Sequence, residues 1–376
     1  MSETIIDYLE KYKDYPLSRM PFNDVDSLIL CQLSYLKFDG MVCDVRRSGA
    51  CVTLSALKEH ADYEKLFADK RYETVNRALF QAAVTGRRFG DMKLNCYINL
   101  VEKERELQFA AITYILEDGT MYVAFRGTDE TLVGWKEDFN MSYLSSTPGQ
   151  DYSVKYLNMV AGRLNNKFIV GGHSKGGNFA VYSAMRCLPS IQERICKIYN
   201  MDGPGFRPEI LISCGYKQIA DRVVKILPQS SIIGMIFENG MEYQVVESKS
   251  FGLAQHDPFN WLIADKEFKK VTELYESRRI MNEVVNEWIL SMNEEQLRSF
   301  IDTLYQVISA SRAENLIEFA ADWKTNLKRI LAAFRELDEQ TAAMMKQISK
   351  SFFEIKHTHR QSRRLKEKEL LSQTPL

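Results

Sequence analysis

Phe168-Ile169-Val170-Gly171-Gly172-His173-Ser174-Lys175-Gly176-Gly177 is an apolar run that breaks into a glycine-framed serine. Gly172, Ser174 and Gly176 read G-x-S-x-G, a pattern expected by chance ~0.1 times in a chain this long at ~7% usage per residue. Lys175 to Cys187 continues as a helix candidate. Strand, sharp turn bearing serine, then helix are the parts of a nucleophile elbow. The turn is strained, so the residues flanking the serine must be nearly free of side chain. Gly172 and Gly176 meet that need, and Gly177 lets the helix pack close. The elbow exposes the Ser174 hydroxyl above a sheet. It also sets the Lys175 backbone N–H at a helix N-terminus, where an oxyanion is favoured. The plain alternative is a glycine-rich strand–helix turn without chemistry.

Around this segment strands alternate with helices. Lys93 to Leu100, Leu107 to Leu116 and Met121 to Phe125 read as strands, with Asp118-Gly119 as a turn. Tyr152 to Leu164 reads as a helix, and Ile198 to Met201, Val223 to Leu227 and Tyr243 to Val246 as short strands. Alternation of this kind implies an α/β sheet, mostly parallel in its centre and flanked by helices. Residues 1–85 read as mainly helical, with Asn23-Asp24 capping a helix that carries Val25, Leu28, Leu30, Leu33 and Leu36.

The chain breakers mark a second boundary. Of 19 glycines the last is Gly252, and of nine prolines only Pro375 follows Pro258. From about Lys266 only the helical period remains. Val271, Leu274, Met281, Val285, Trp288 and Met292 form one apolar stripe, and Leu316, Phe319, Trp323, Leu327, Ile330 and Phe334 another. A third holds Met345, Ile348, Phe352 and Ile355, and Asn293 before Glu294, Glu295 and Gln296 looks like a capped restart. The expected organisation is an α/β domain over 1–265 and a helical C-terminal region over 266–376.

Composition narrows the function classes. The 49 Lys+Arg nearly cancel the 50 Asp+Glu, which gives no electrostatic case for a nucleic acid partner. Cys31, Cys43, Cys51, Cys96, Cys187, Cys196 and Cys214 are odd in number and irregular in spacing. Buried free thiols in a reducing compartment are expected, rather than a disulfide framework or a zinc site. The stretch MSETIIDYLEKYKDY lacks the apolar core of a signal peptide, and no uncharged apolar run reaches ~18 residues. A soluble cytoplasmic protein is expected, with no cofactor and no metal.

Serine at its ordinary pKa is a weak nucleophile and needs a base. Of five histidines, His173 is locked beside Ser174, His60 lies in a charged helical stretch, and His357 and His359 sit in the basic tail. His256, in Gly252-Leu253-Ala254-Gln255-His256-Asp257-Pro258, follows the elbow in a turn-rich loop. Around such elbows the order is Ser, acid, His, so His256 is the base by elimination, with a structural histidine as the alternative. The acid should end a strand between the two. Asp202 ends Ile198-Tyr199-Asn200-Met201 and opens Asp202-Gly203-Pro204-Gly205, whereas Asp221 opens its strand and points to the wrong edge. Asp257 is too close to His256 in sequence. Asp202 is the first choice; Glu242, Glu247 or no acid at all stay open.

These residues resemble a known family. Val123-Ala124-Phe125-Arg126-Gly127-Thr128 is similar to the strand and oxyanion loop of class 3 lipases, and Trp135-Lys136-Glu137-Asp138 to their tryptophan–aspartate segment. Gly172-His173-Ser174-Lys175-Gly176-Gly177-Asn178 resembles their elbow, with Gly203-Pro204 where they keep a Gly-Pro. Pro21-Phe22-Asn23-Asp24-Val25-Asp26, Gln32-Leu33-Ser34-Tyr35-Leu36, Gly134 to Met141 and Gln255-His256-Asp257-Pro258-Phe259 extend the likeness to a bacterial family of uncharacterised lipase-like α/β-hydrolases, over roughly residues 20–262. The resemblance implies an α/β-hydrolase fold, Ser174 as nucleophile, His256 as base, and Thr128 in the oxyanion hole beside the Lys175 N–H. It also shows a departure. Class 3 lipases carry the acid after a later strand, where this chain has Leu227-Pro228-Gln229-Ser230-Ser231. Either the acid has moved to Asp202, or a Ser/Gln hydrogen bond orients His256 weakly.

The expected activity is a serine hydrolase acting on a small-molecule or lipid carboxylic ester through an acyl-enzyme. The alternatives are a thioesterase or acyltransferase on the same triad, or a weakly active scaffold. Arg126 is expected to pair with Asp129 or Asp138, and Lys175 to be a solvated first-turn lysine. The basic run from Lys356 to Lys368 reads as a solvated helix end, with contact to anionic lipid or RNA as the alternative, and the aromatic stripes read as core between helices rather than a lipid-binding face; a membrane surface or protein partner is the possible contact of the C-terminal helices.

Overall fold

Strand by strand, the chain lays down one large sheet. The computed structural model describes residues 3–47, 49–69, 72–128, 137, 141, 146–238, 241–310 and 338–373. Among these, β1 (Val52–Thr53), β2 (Lys93–Glu102), β3 (Leu107–Ile115), β4 (Met121–Phe125), β5 (Phe168–His173), β6 (Ile195–Met201), β7 (Val223–Pro228) and β8 (Tyr243–Val246) lie side by side in chain order. A small hairpin, β9 (Ile263–Ala264) and β10 (Glu267–Phe268), precedes β11 (Lys270–Val271), which closes the far edge beside β8. The pairs from β4 to β8 are parallel, and the outer pairs are antiparallel. The fold is therefore α/β with a parallel centre.

Both faces of that centre are buried. Ile112, Tyr114, Tyr122, Ala124, Tyr199 and Met201 belong to the core shared with the N-terminal helices α1 (Ile5–Tyr12), α2 (Asp24–Leu33) and α3 (Glu73–Val84). On the other face, Phe109 packs its ring on Phe125, Tyr156 and Phe179, from β4, α4 (Pro148–Arg163) and α5 (Lys175–Arg186). This division follows from topology. Strands added in one direction with right-handed crossovers send their connecting helices to one face. The opposite face must be covered from elsewhere in the chain, and residues before β2 do it.

Local chemistry starts these helices where the sequence places them. The Asn23 side chain accepts from the N–H groups of Val25 and Asp26, and Asp26 returns the bond to the Asn23 N–H. Thr147 caps α4 ahead of Pro148. Asp26 also forms a fully buried ion pair with Arg88, whose other N–H groups donate to the carbonyls of Tyr15 and Met20. That pair ties the N-terminal segment to α2.

The chain divides into two units, Met1–Asp129 with Ser146–Leu274 and Glu130–Ser145 with Tyr275–Leu376. The first runs past residue 265 because β10 and β11 still belong to it. Val271 and Leu274 accordingly pack on Leu227 and Val245 rather than on a helix stripe. In the second unit, α6 (Glu276–Ser291), α7 (Glu294–Ala310) and α8 (Glu339–Gln373) are described. Trp288 sits between Phe300 and Phe352, with its indole N–H donating to the Ile348 carbonyl at 2.9 Å. Asn293 and Gln296 form the expected capping box at the start of α7. The stripe from Leu316 to Phe334 lies outside the described residues. All seven cysteines are free, but Cys51, Cys196 and Cys214 are exposed, so the expectation of burial holds for Cys31, Cys96 and Cys187. No helix among the described residues is long and apolar enough to cross a membrane.

Candidate active site

The site lies at the C-terminal ends of β4 to β8, where successive loops face one another. β5 ends in His173, and Ser174 turns the chain into α5 with φ 59° and ψ −133°. That left-handed conformation is costly for serine and is held by close packing on both sides. A Cβ on Gly172 would lie 2.2 Å from the Gly176 carbonyl carbon, and one on Gly176 would lie 2.1 Å from the Phe125 carbonyl oxygen. The glycines read from sequence as steric necessities are therefore in contact with backbone.

Asp202 follows β6 directly and also has positive φ, at 50°. Its N–H donates to the Ile226 carbonyl, the Ser174 N–H donates to the Met201 carbonyl, and the Gly203 N–H donates to the Asn200 side chain. These bonds stitch the turns after β5 and β6 together. The Asp202 carboxylate is fully buried. One oxygen lies 2.6 Å from His256 Nδ1, and the other accepts from the Ser231 hydroxyl at 2.5 Å. His256 Nε2 lies 2.9 Å from Ser174 Oγ. Ser174, His256 and Asp202, chosen separately from sequence, form one hydrogen-bonded chain.

The alternatives for the acid are placed elsewhere. The Asp221 side chain is exposed beside Arg222. Asp257 accepts from the Phe259 N–H, and Glu247 pairs with Lys269. The segment after β7, where the resemblance led one to look for an acid, has a supporting task instead. Ser231 donates to Asp202, and the Ser230 N–H donates to the Gln255 side chain at 2.7 Å. Gln255 is fully buried, donates to the Ser250 carbonyl, and accepts from the Trp261 indole through its own carbonyl. The loop bearing His256 is thus fixed from three sides. Ser231 belongs to the segment for which a Ser/Gln hydrogen bond to His256 is the sequence alternative, but it binds Asp202; Gln255 and Trp261 carry no local signal. Their roles come from contacts between distant loops, which no local pattern carries.

Thr128 follows Gly127 at the end of β4. A Cβ on Gly127 would lie 3.1 Å from Ser174 Cβ and 2.6 Å from the His173 carbonyl oxygen, so this loop runs against the elbow. Lys175 opens α5, which puts its N–H in the first turn. Its side chain corrects an expectation: Lys175 is buried, not solvated, and its ammonium donates to the carbonyl and side chain of Gln108. Arg126 is buried too and donates to Asn99. Its expected partners Asp129 and Asp138 lie outside the described residues.

A family model described as Mbeg1-like matches residues 83–306. The chain belongs to the Mbeg1-like family. This family is lipase-like. The Mbeg1-like match takes in Thr128, Ser174, Asp202 and His256. It also runs on through α6 and most of α7, beyond the stretch whose motifs suggested lipases. Among solved structures, the one titled "Rhizomucor miehei lipase propeptide complex, native" is similar at 16% identity and a TM-score of 0.35, over 52% of this chain and 70% of that chain. No curated protein matches the chain.

Proposed function

We propose that this Mbeg1-like chain is a serine hydrolase of carboxylic esters built on an α/β-hydrolase fold. The observation that carries the reading is the relay from Asp202 to His256 at 2.6 Å and from His256 to Ser174 at 2.9 Å. Both distances are hydrogen bonds of the length that general-base activation of a hydroxyl requires.

His256 Nε2 takes the Ser174 proton as Oγ attacks the ester carbonyl. Asp202 keeps the other proton on Nδ1, which holds the tautomer and offsets the charge of the imidazolium. The Ser231 hydroxyl bond keeps the buried Asp202 carboxylate aimed and its charge satisfied. The N–H groups of Thr128 and Lys175 stabilise the tetrahedral oxyanion. His256 protonates the departing alcohol, then activates water to release the acyl group from Ser174. The lipase-like family agrees with this direction of reading.

The test is a fluorophosphonate probe with the adduct located by mass. Labelling of Ser174 in the full chain, lost in Ser174→Ala, is expected. Absence of label under conditions that modify a known esterase would sink the hydrolase reading and leave a scaffold. An acyl-chain-length series on simple esters then gives the preferred substrate.

A further inference from the structure

His173 and His256 lie against each other, and the mechanism uses only the second. Alternation along β5 sends Ile169, Gly171 and His173 to the face covered by α1 to α3, away from α5. Ile169 packs on that core, and a Cβ on Gly171 would meet the Tyr122 hydroxyl. The His173 ring is 5% exposed. Its Nε2 lies 2.8 Å from the main-chain carbonyl oxygen of His256, and its Nδ1 lies 3.2 Å from the Tyr35 hydroxyl. A carbonyl only accepts, so Nε2 carries the proton, and Nδ1 accepts from Tyr35. The His173 and His256 rings are 4.6 Å apart at 34°, and Trp261 meets His173 edge-on.

Among the described residues, two titratable groups face His173: Tyr35, from the turn after α2, and His256. Burial holds His173 well below the ordinary histidine range, and the charge of His256 pushes it in the same direction. It is thus a neutral imidazole with a fixed tautomer, buried between the N-terminal helical segment and the loop after β8.

We propose that His173, oriented by Tyr35, is a positioning residue that sets the base by gripping the His256 main-chain carbonyl and backing its ring. This rests on the hydrolase reading above. Asp202 holds the Nδ1 end of His256, and Ser230, Ser250 and Trp261 hold the neighbouring Gln255, which leaves the His256 peptide itself free to turn. The carbonyl anchor removes that freedom, so Nε2 meets Ser174 along one line. A neutral ring beside His256 also lets an imidazolium form there without a second positive charge in contact. Tyr35 matters because it holds the proton of His173 on the nitrogen that faces the carbonyl. Its hydroxyl lies where a Cβ on Gly127 would sit, so one side chain from outside the sheet meets the oxyanion loop and the elbow together.

Two measurements on the full chain decide it. Nitrogen-15 imidazole spectra of the wild type should show His173 neutral and protonated on Nε2 across about pH 5–8. A His173 that titrates in that range, or that is protonated on Nδ1, overturns the proposal. The second is the saturating rate of fluorophosphonate labelling at Ser174. Tyr35→Phe, which keeps the ring and removes one oxygen, and His173→Phe should each lower the limiting rate about 10- to 100-fold. The half-saturating probe concentration should stay within about twofold, and the pH midpoint of the rate should move. His173→Gln, whose amide can still donate to the carbonyl, should recover part of the rate. Limiting rates and pH midpoints equal to wild type in Tyr35→Phe and His173→Phe overturn the positioning role while leaving the hydrolase reading intact. A wild type that takes no label defeats the hydrolase reading itself.

Discussion

The sheet unit and the helical unit solve the same packing problem by different means. Every positive φ among the described residues lies before Lys266, and two of them belong to Ser174 and Asp202. Each such non-glycine residue costs on the order of 1–3 kcal/mol and persists only where its surroundings over-determine it. Gly172, Gly176 and Gly203, pressed against neighbouring backbone, supply those surroundings. The helices from Glu276 to Gln373 hold no glycine. They rest on an apolar seam around Trp288 and on side-chain caps such as Asn293. Two of the strained residues thus fall where groups must be held at one distance, and regular helix suffices where they need only pack.

That contrast predicts a graded response to substitution. Ser174→Ala should lower ester turnover by about 10⁶-fold, since the nucleophile and base act as a unit. Residual turnover within tenfold of wild type would place the chemistry elsewhere. Asp202→Asn should keep the fold and lower turnover by about 10⁴-fold, through loss of the correct tautomer. Asp221→Asn, on an exposed side chain, should leave turnover unchanged; the reverse pattern would move the acid. Asp26→Ala leaves the Arg88 guanidinium buried without its carboxylate, and should cost about 3–5 kcal/mol in denaturant unfolding of the sheet unit. A loss below 1 kcal/mol would mean that water reaches the pair. Asn293→Ala should cost only about 1 kcal/mol, read by circular dichroism on the helical unit. A larger loss would show that the second unit, too, depends on single points.

What could be read from sequence follows the same division. The elbow was legible because its steric demand is local: glycine is required within two residues of Ser174, and the chain shows it. Asp202 was legible through strand polarity, and His256 through the scarcity of histidines. The helical stripes and the Asn293 cap were legible through periodicity. Four features were not. Lys175 looked solvated because its partner Gln108 is remote in sequence and lies on β3. The strands β10 and β11 were missed because two-residue strands carry no period. Ser231, Gln255 and Tyr35 act across loops that only the closed sheet brings together. His173 was set aside as unable to act as the base, and the reason was sound, yet strand alternation aims it at the His256 carbonyl from the other face.

The sheet's strand order carries a consequence for how the chain is made. From β1 to β8 the spatial order is the order of synthesis. A chain leaving the ribosome can add each strand to an edge already in place, exposing one growing edge at a time. Ser174 and Asp202 are available once β6 has joined, but His256 comes after β8. On the proposed reading, the serine has no general base until then. The nascent chain is therefore chemically silent while its core is still open, and on the proposed reading its activity begins only when the sheet is nearly complete.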